Sequence, residues 1–301
     1  MAVDAPVTSG GIMDIIPAKE FVRRAEADEL TQLDSLPEGV GFVEDVVYVS
    51  RPERDLKVDV FCLDETPGEP RPAMVFVHGG GWRGGTKGQF SRQAAYLAAK
   101  HGVAGFCCEY RFSHEAKFPA CLQDVKCCVR YVRSRAEELG IDPERVGIAG
   151  GSAGGHLAAM VATTAGAAEY EDGGYEKFSS RVDICVPHNG VMDLVELAEG
   201  REEPIDLIGR PLAEAREVYA EASPLRRATA GAAPMLLLHG DADEVIPCSQ
   251  SGAMYEKLTG LGVHAEVQMF PGVGHGWFNS PPHFAGVLER MRHFVAERFG
   301  L

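Results

Sequence analysis

The chain has 301 residues, of which 45% are hydrophobic and 24% charged, the balance of a folded protein with room for a sizeable core. Its formal net charge of −15 argues against nucleic acid or an anionic membrane as partner, since both call for a basic face. The N-terminus has no basic segment followed by an apolar run of signal length, and no stretch approaches the ~18 apolar residues of a membrane span.

Residues 1–40 mix Pro, Gly and charge, with one amphipathic helical pattern in "AKEFVRRAEADELTQL", and read as an N-terminal arm or cap. Residues 41–301 read as one domain. Two strand-like runs come first, "VEDVVYVS" and "LKVDVFCL", with the turn-forming "RPERD" between them. After the Pro-rich "DETPGEPRP" the chain alternates: strand candidates "AMVFVH", "VAGFCCEY", "RVGIAG", "VDICVPHNG", "PMLLLHG" and "AEVQMF" are separated by helical patterns such as "QFSRQAAYLAAKHG" and the long "PACLQDVKCCVRYVRSRAEELG". These short strands are apolar almost throughout, as a parallel sheet covered on both faces requires. The expectation is an α/β fold around a mostly parallel eight-stranded sheet with helices on both faces.

The eight cysteines include no C-x-x-C pair, and Cys121 and Cys128 recur with Val125 and Val132 at helical spacing. They read as small core residues in a reducing compartment, which points to the cytoplasm and to neither a disulfide framework nor a metal site. No cofactor is expected.

Glycines crowd around one serine in "GIAGGSAGGHLAAM". Glycine inside regular structure costs about 0.5–1 kcal/mol relative to alanine, so the segment needs a backbone that other residues cannot adopt. Gly150-Gly151-Ser152-Ala153-Gly154 follows a strand and opens a helix, the setting of a nucleophile elbow. Upstream, His78-Gly79-Gly80-Gly81-Trp82 also follows a strand, and its glycines leave backbone N–H groups free to face a pocket. A serine hydroxyl needs a base. Of the ten histidines, His275 in "PGVGHGWF" lies in a glycine-flanked loop at a strand end. His156, four residues past the serine, reads as a local packing group, His239 as structural and His78 as a brace for the glycine loop. For the carboxylate that orients the base, "HGDADEVIP" offers Asp241, Asp243 and Glu244, and spacing does not separate them.

From about residue 43 to the C-terminus the chain resembles α/β-hydrolases of the hormone-sensitive-lipase-like esterase group, with its acetyl-xylan and feruloyl esterase relatives. The resemblance rests on "VFVHGGGW", "EYRFSHEAKFPACLQDV", "GIDPERVGIAGGSAGGHLAA", "HGDADEVIP" and "GVGHGW". It implies a triad of Ser152, Asp243 and His275, selecting Asp243 because the acid in that family stands two residues after the "HGD" aspartate. It also implies an oxyanion hole of Gly80, Gly81 and Ala153. Glu109 stands where relatives often have aspartate, and "PHNGVMDL" where many have Gly-Pro, so His188 and Asn189 are expected near the pocket. Trp82, His188 and Trp277 are expected to contact substrate. The polar segments 169–180 and 196–222 are expected to be helical and to form a partial cap.

The implied activity is hydrolysis of short-chain acyl esters, including acetyl or feruloyl esters of carbohydrates, with a small-molecule ester as partner and a homodimer as the possible assembly. The same triad would serve an amidase or peptidase; a catalytically silent binding protein would be expected to have lost a triad member.

Overall fold

Alternate residues of the central strands feed two separate cores, and this sets the architecture. The computed structural model describes residues 36–64, 68–280 and 282–301. Val75, Val77, Ile148 and Leu237 point into one apolar cluster, while Met74, Phe76, Ala149, Leu236 and Leu238 point into another on the opposite face. A strand that is apolar on both sides is stable only when both sides are covered.

The strands are β1 (Val40–Ser50), β2 (Asp55–Leu63), β3 (Arg71–Val77), β4 (Ala104–Cys108), β5 (Ile141–Gly151), β6 (Ile184–His188), β7 (Met235–Gly240) and β8 (Ala265–Phe270). They form one sheet in the order β1-β2-β4-β3-β5-β6-β7-β8. β1 and β2 pair antiparallel with each other, and β2 pairs antiparallel with β4. Every other pairing is parallel, with Val75 opposite Phe106 on one side and Ile148 on the other.

The helices are α1 (Ser91–His101), α2 (Ala120–Ser134), α3 (Ala136–Leu139), α4 (Ala153–Thr163), α5 (Leu194–Leu197), α6 (Glu203–Ile208), α7 (Leu212–Glu221), α8 (Pro224–Arg227), α9 (Ser249–Gly260) and α10 (Phe284–Phe299). α1 and α10 cover the face carrying Phe76 and Leu238, and α2, α4 and α9 cover the other. The arrangement is an α/β-hydrolase fold. Its parallel strands all deliver their C-terminal ends, and the loops that follow, to one edge of the sheet.

Three expectations are corrected or fall outside the description. The amphipathic pattern within residues 1–35 lies outside the described residues. The long helix expected over 119–140 breaks at Arg135, and the chain turns at Gly140 with φ +60° directly into β5. Segment 169–180 is helical only in a short turn at Ala168–Tyr170. It is held instead by buried charge on α2: Lys126 Nζ donates to Glu171 Oε1 at 2.6 Å and Arg130 Nη1 to Glu171 Oε2 at 2.5 Å. Segment 196–222 is largely helical, as expected, through α6 and α7.

All eight cysteines are free; six are buried, and Cys62 and Cys248 are partly exposed. Burial pushes the Cys121 thiol up to about 12 and Cys127 up to about 11.

Candidate active site

Strand β5 ends at Gly151 and helix α4 begins at Ala153, so Ser152 alone makes the turn between them. It does so at φ +54° and ψ −119°, a left-handed backbone that costs a non-glycine residue energy. Two backbone bonds hold it there: Ser152 N–H donates to His188 O and His156 N–H donates to Ser152 O, each at 2.9 Å. The elbow closes only because Gly154 lacks a side chain. A Cβ there would lie 2.1 Å from Val77 O.

The strained turn lifts Ser152 Oγ to within 3.0 Å of His275 Nε2, and His275 Nδ1 lies 2.8 Å from Asp243 Oδ2. The pattern is satisfied when Ser152 donates to Nε2 and Nδ1–H donates to the carboxylate. Asp243 is buried, and its other oxygen accepts from Val245 N–H and Ile246 N–H at 2.9 Å each. Burial works to raise its pKa, but hydrogen bonds from His239, His275 and the Ile246 N–H outweigh it and hold the carboxyl well below the usual carboxylate range. Asp241 is exposed and accepts from Gly272 N–H at 2.6 Å, tying the end of β7 to the turn after β8.

The glycine loop curls beside this chain of hydrogen bonds. Gly80, Gly81 and Trp82 take φ of +119°, +61° and +58° in succession. A Cβ on Gly80 would fall 2.2 Å from Gly84 O. The N–H groups of Gly80 and Gly81 find no acceptor among the described residues, and that of Ala153, first residue of α4, has no intrahelical acceptor by position. Beneath the loop, His78 stacks on Tyr110 at 4.4 Å with Nδ1 2.8 Å from Gly79 O, and burial pushes its pKa down to about 4. Trp82 Nε1 donates to His156 Nδ1 at 3.2 Å, while His156 Nε2 meets Ala222 O at 2.7 Å. The two contacts define a neutral tautomer, in keeping with a pKa that burial pushes down to about 4.

Ser152, Ala153, His275, Gly80, Gly81 and Trp82 all line one cavity of about 650 Å³. Its outer wall includes Arg83, Val191, Leu197, Arg201, Glu203 and Pro204, so segment 196–222 borders the site as expected. Two expected contacts are corrected. His188 is fully buried with its ring between Phe90 (5.4 Å) and Phe278 (5.2 Å), and its main-chain oxygen accepts from the elbow serine. Trp277 packs 4.2 Å from Phe270, away from the cavity. In their place Phe278, Gln89 and Asn279 line the site. Gln89 Oε1 accepts from Gly79 N–H at 2.7 Å, and Asn279 Nδ2 donates to Gln89 O at 2.7 Å. Nothing in the local sequence marks these three.

The chain matches the BD-FAE family over residues 58–258. It belongs to the BD-FAE family. As a BD-FAE chain it is 30% identical over 247 residues to esterase LipC of Mycobacterium tuberculosis, covering 77% of this chain and 59% of LipC. With coverage of 59%, 44% and 48%, the chain spans about half the length of the curated mycobacterial relatives it matches. Among solved structures, a truncated carbohydrate esterase from gut microbiota superimposes with a TM-score of 0.76 at 28% identity, covering 85% of this chain and 95% of that one. Esterase 2 of Thermogutta terrifontis, phosphonylated by cyclosarin, does so with a TM-score of 0.73 at 32% identity, covering 87% and 95%.

Proposed function

We propose that this protein is a serine carboxylesterase that hydrolyses short-chain acyl esters, with catalysis assigned to residues 41–301. The observation that carries the proposal is the hydrogen-bonded line Ser152–His275–Asp243, at 3.0 and 2.8 Å, opening on a cavity bordered by unpaired backbone N–H groups. As Ser152 Oγ attacks the ester carbonyl, its proton passes to His275 Nε2 and the carbonyl electrons collect on oxygen. The N–H groups of Gly80, Gly81 and Ala153 stabilise that oxyanion, and Asp243 stabilises the imidazolium and holds its tautomer. On collapse the C–O bond to the alcohol breaks, and the alkoxide takes the proton from His275. Water, deprotonated by the same ring, then releases the acid and restores Ser152.

Acetyl or feruloyl esters of carbohydrates are the finer reading of the substrate. The polar cavity wall of Arg83, Arg92, Arg201, Glu203 and Asn279 supports it, as does the carbohydrate esterase among the neighbours. The free thiols fit a reducing compartment such as the cytoplasm.

The test is a series of p-nitrophenyl esters from acetate to decanoate, run beside acetylated xylan and a feruloyl ester, on the wild type and on Ser152→Ala. Turnover of the short esters should fall by at least about 10⁴ in the variant, and a phosphonate should label Ser152. A label on another serine, or a fully active Ser152→Ala protein, would refute the assignment.

A further inference from the structure

Asn189 is a third residue in contact with the imidazole of His275, beside Ser152 and Asp243. Its Nδ2 lies 2.9 Å from Nδ1 and 3.3 Å from Nε2. One atom cannot approach both ring nitrogens so closely in the ring plane, because it would overlap Cε1 between them. Nδ1 is also already spent as the donor to Asp243. The carboxamide therefore lies over the face of the ring, with its N–H directed at the π system.

The local cost is visible. Asn189 is fully buried with φ +38°, and its Oδ1 is buried without a partner among the described residues. A buried carbonyl left without a partner is destabilising, and glycine would adopt the backbone freely. The strain is held by neighbouring bonds: Asn189 N–H donates to Leu238 O at 2.7 Å, and the preceding carbonyl takes the Ser152 N–H. A strained, half-satisfied side chain kept where glycine would relieve both penalties is the pattern of a residue retained for the site it touches.

We propose that Asn189 is a positioning residue for His275, its carboxamide clamping the imidazole face; this rests on the esterase reading above. The bonds to Asp243 and Ser152 hold the ring at its two nitrogens within its plane and only weakly oppose tilting out of that plane. A contact on the face stops that tilt.

The experiment compares wild type, Asn189→Gly and Ser152→Ala with p-nitrophenyl acetate, reading kcat, KM and Tm. Asn189→Gly should lower kcat about 10-fold or more with KM little changed and Tm no more than about 2 °C below wild type. Unchanged kcat in Asn189→Gly, a loss that appears in KM instead, or a fall in kcat that only follows a fall in Tm, would overturn the proposal. If the wild type itself shows no hydrolysis that Ser152→Ala removes, the esterase reading fails instead.

Discussion

The floor of the cavity and its rim are built by different means. The floor holds Ser152, His275, Asp243 and the glycine loop through short, largely sheltered hydrogen bonds and, at Gly80 and Gly154, glycines that admit no Cβ. The rim, on and around α6, relies on charged side chains that remain partly in water, such as Arg83 with Asp206. A buried, fully determined geometry changes in large steps, whereas an exposed one yields gradually. The two regions should therefore differ by orders of magnitude in what a single substitution costs.

The sharpest contrast within the floor is between its two neighbouring aspartates. Asp243→Asn leaves the shape intact but removes the acceptor that fixes the His275 tautomer, and should lower kcat by about 10⁴ in a protein that still folds. Asp241→Asn only weakens the bond from Gly272 N–H, replacing a charged acceptor by a neutral one, and should lower Tm by at most a few degrees with kcat close to wild type. Steady-state kinetics beside thermal melts separates the two, and a dead Asp241→Asn with a normal Asp243→Asn would reverse the assignment of the acid.

Acid sensitivity comes next. Three buried histidines support the floor: His78 under the glycine loop, His156 beneath Trp82 and His188 under the elbow. Burial pushes each from 6.5 down to about 4. Well above pH 6.5 these histidines are neutral in both folded and unfolded chains and cost nothing. As pH falls from 6.5 towards 4 the unfolded chain takes protons that the folded one refuses, so stability is lost, by roughly 3 kcal/mol for each histidine. Asp59 has the opposite sign: burial raises it to about 6 against the pull of Lys87, so it gains stability as pH falls from 6 towards 3.8. Three groups outweigh one. Thermal melts should show a Tm that is flat well above pH 6.5 and falls steeply between about 6 and 4; a flat Tm through that window would mean the histidines are not held neutral.

Much of this floor is legible in the sequence, because its demands are local. Glycine spacing around Ser152 and after His78 reports turns that no other residue makes, and strands buried on both faces appear as unbroken apolar runs. The side-chain directions at strand ends are not legible. His188 and Asn189 are adjacent, yet one ring enters the core beside Phe90 and Phe278 while the other side chain reaches His275. Successive residues in a strand alternate faces, and a reading uncertain by one position exchanges the two roles. Segment 169–180 is hidden for another reason. Its placement follows from Lys126 and Arg130, charges buried in a helix whose pattern reveals only the apolar side.

The smallest expected effect lies on the rim and tests whether the two regions are separate at all. Arg83 directly follows the glycine loop and Trp82, and its guanidinium meets Asp206 of α6 at 2.7 Å and Glu202 at 3.6 Å. Arg83 is 36% exposed, Asp206 49% and Glu202 88%. Pairs so open to water contribute about 0–1 kcal/mol and weaken with salt. Arg83→Gln should therefore move Tm by only a degree or two and change kcat for p-nitrophenyl acetate by less than about 3-fold. Its effect should appear in KM for bulkier esters that reach the rim, and raising salt on the wild type should reproduce much of it. The loop itself is held from the other side, by Tyr110 under His78, by Gln89 on the Gly79 N–H and by the Ser113 N–H on Trp82 O at 2.7 Å. None of these contacts passes through Arg83. A 100-fold loss of kcat in Arg83→Gln would mean that the rim pair sets the position of the glycine N–H groups, and that floor and rim form a single mechanical unit.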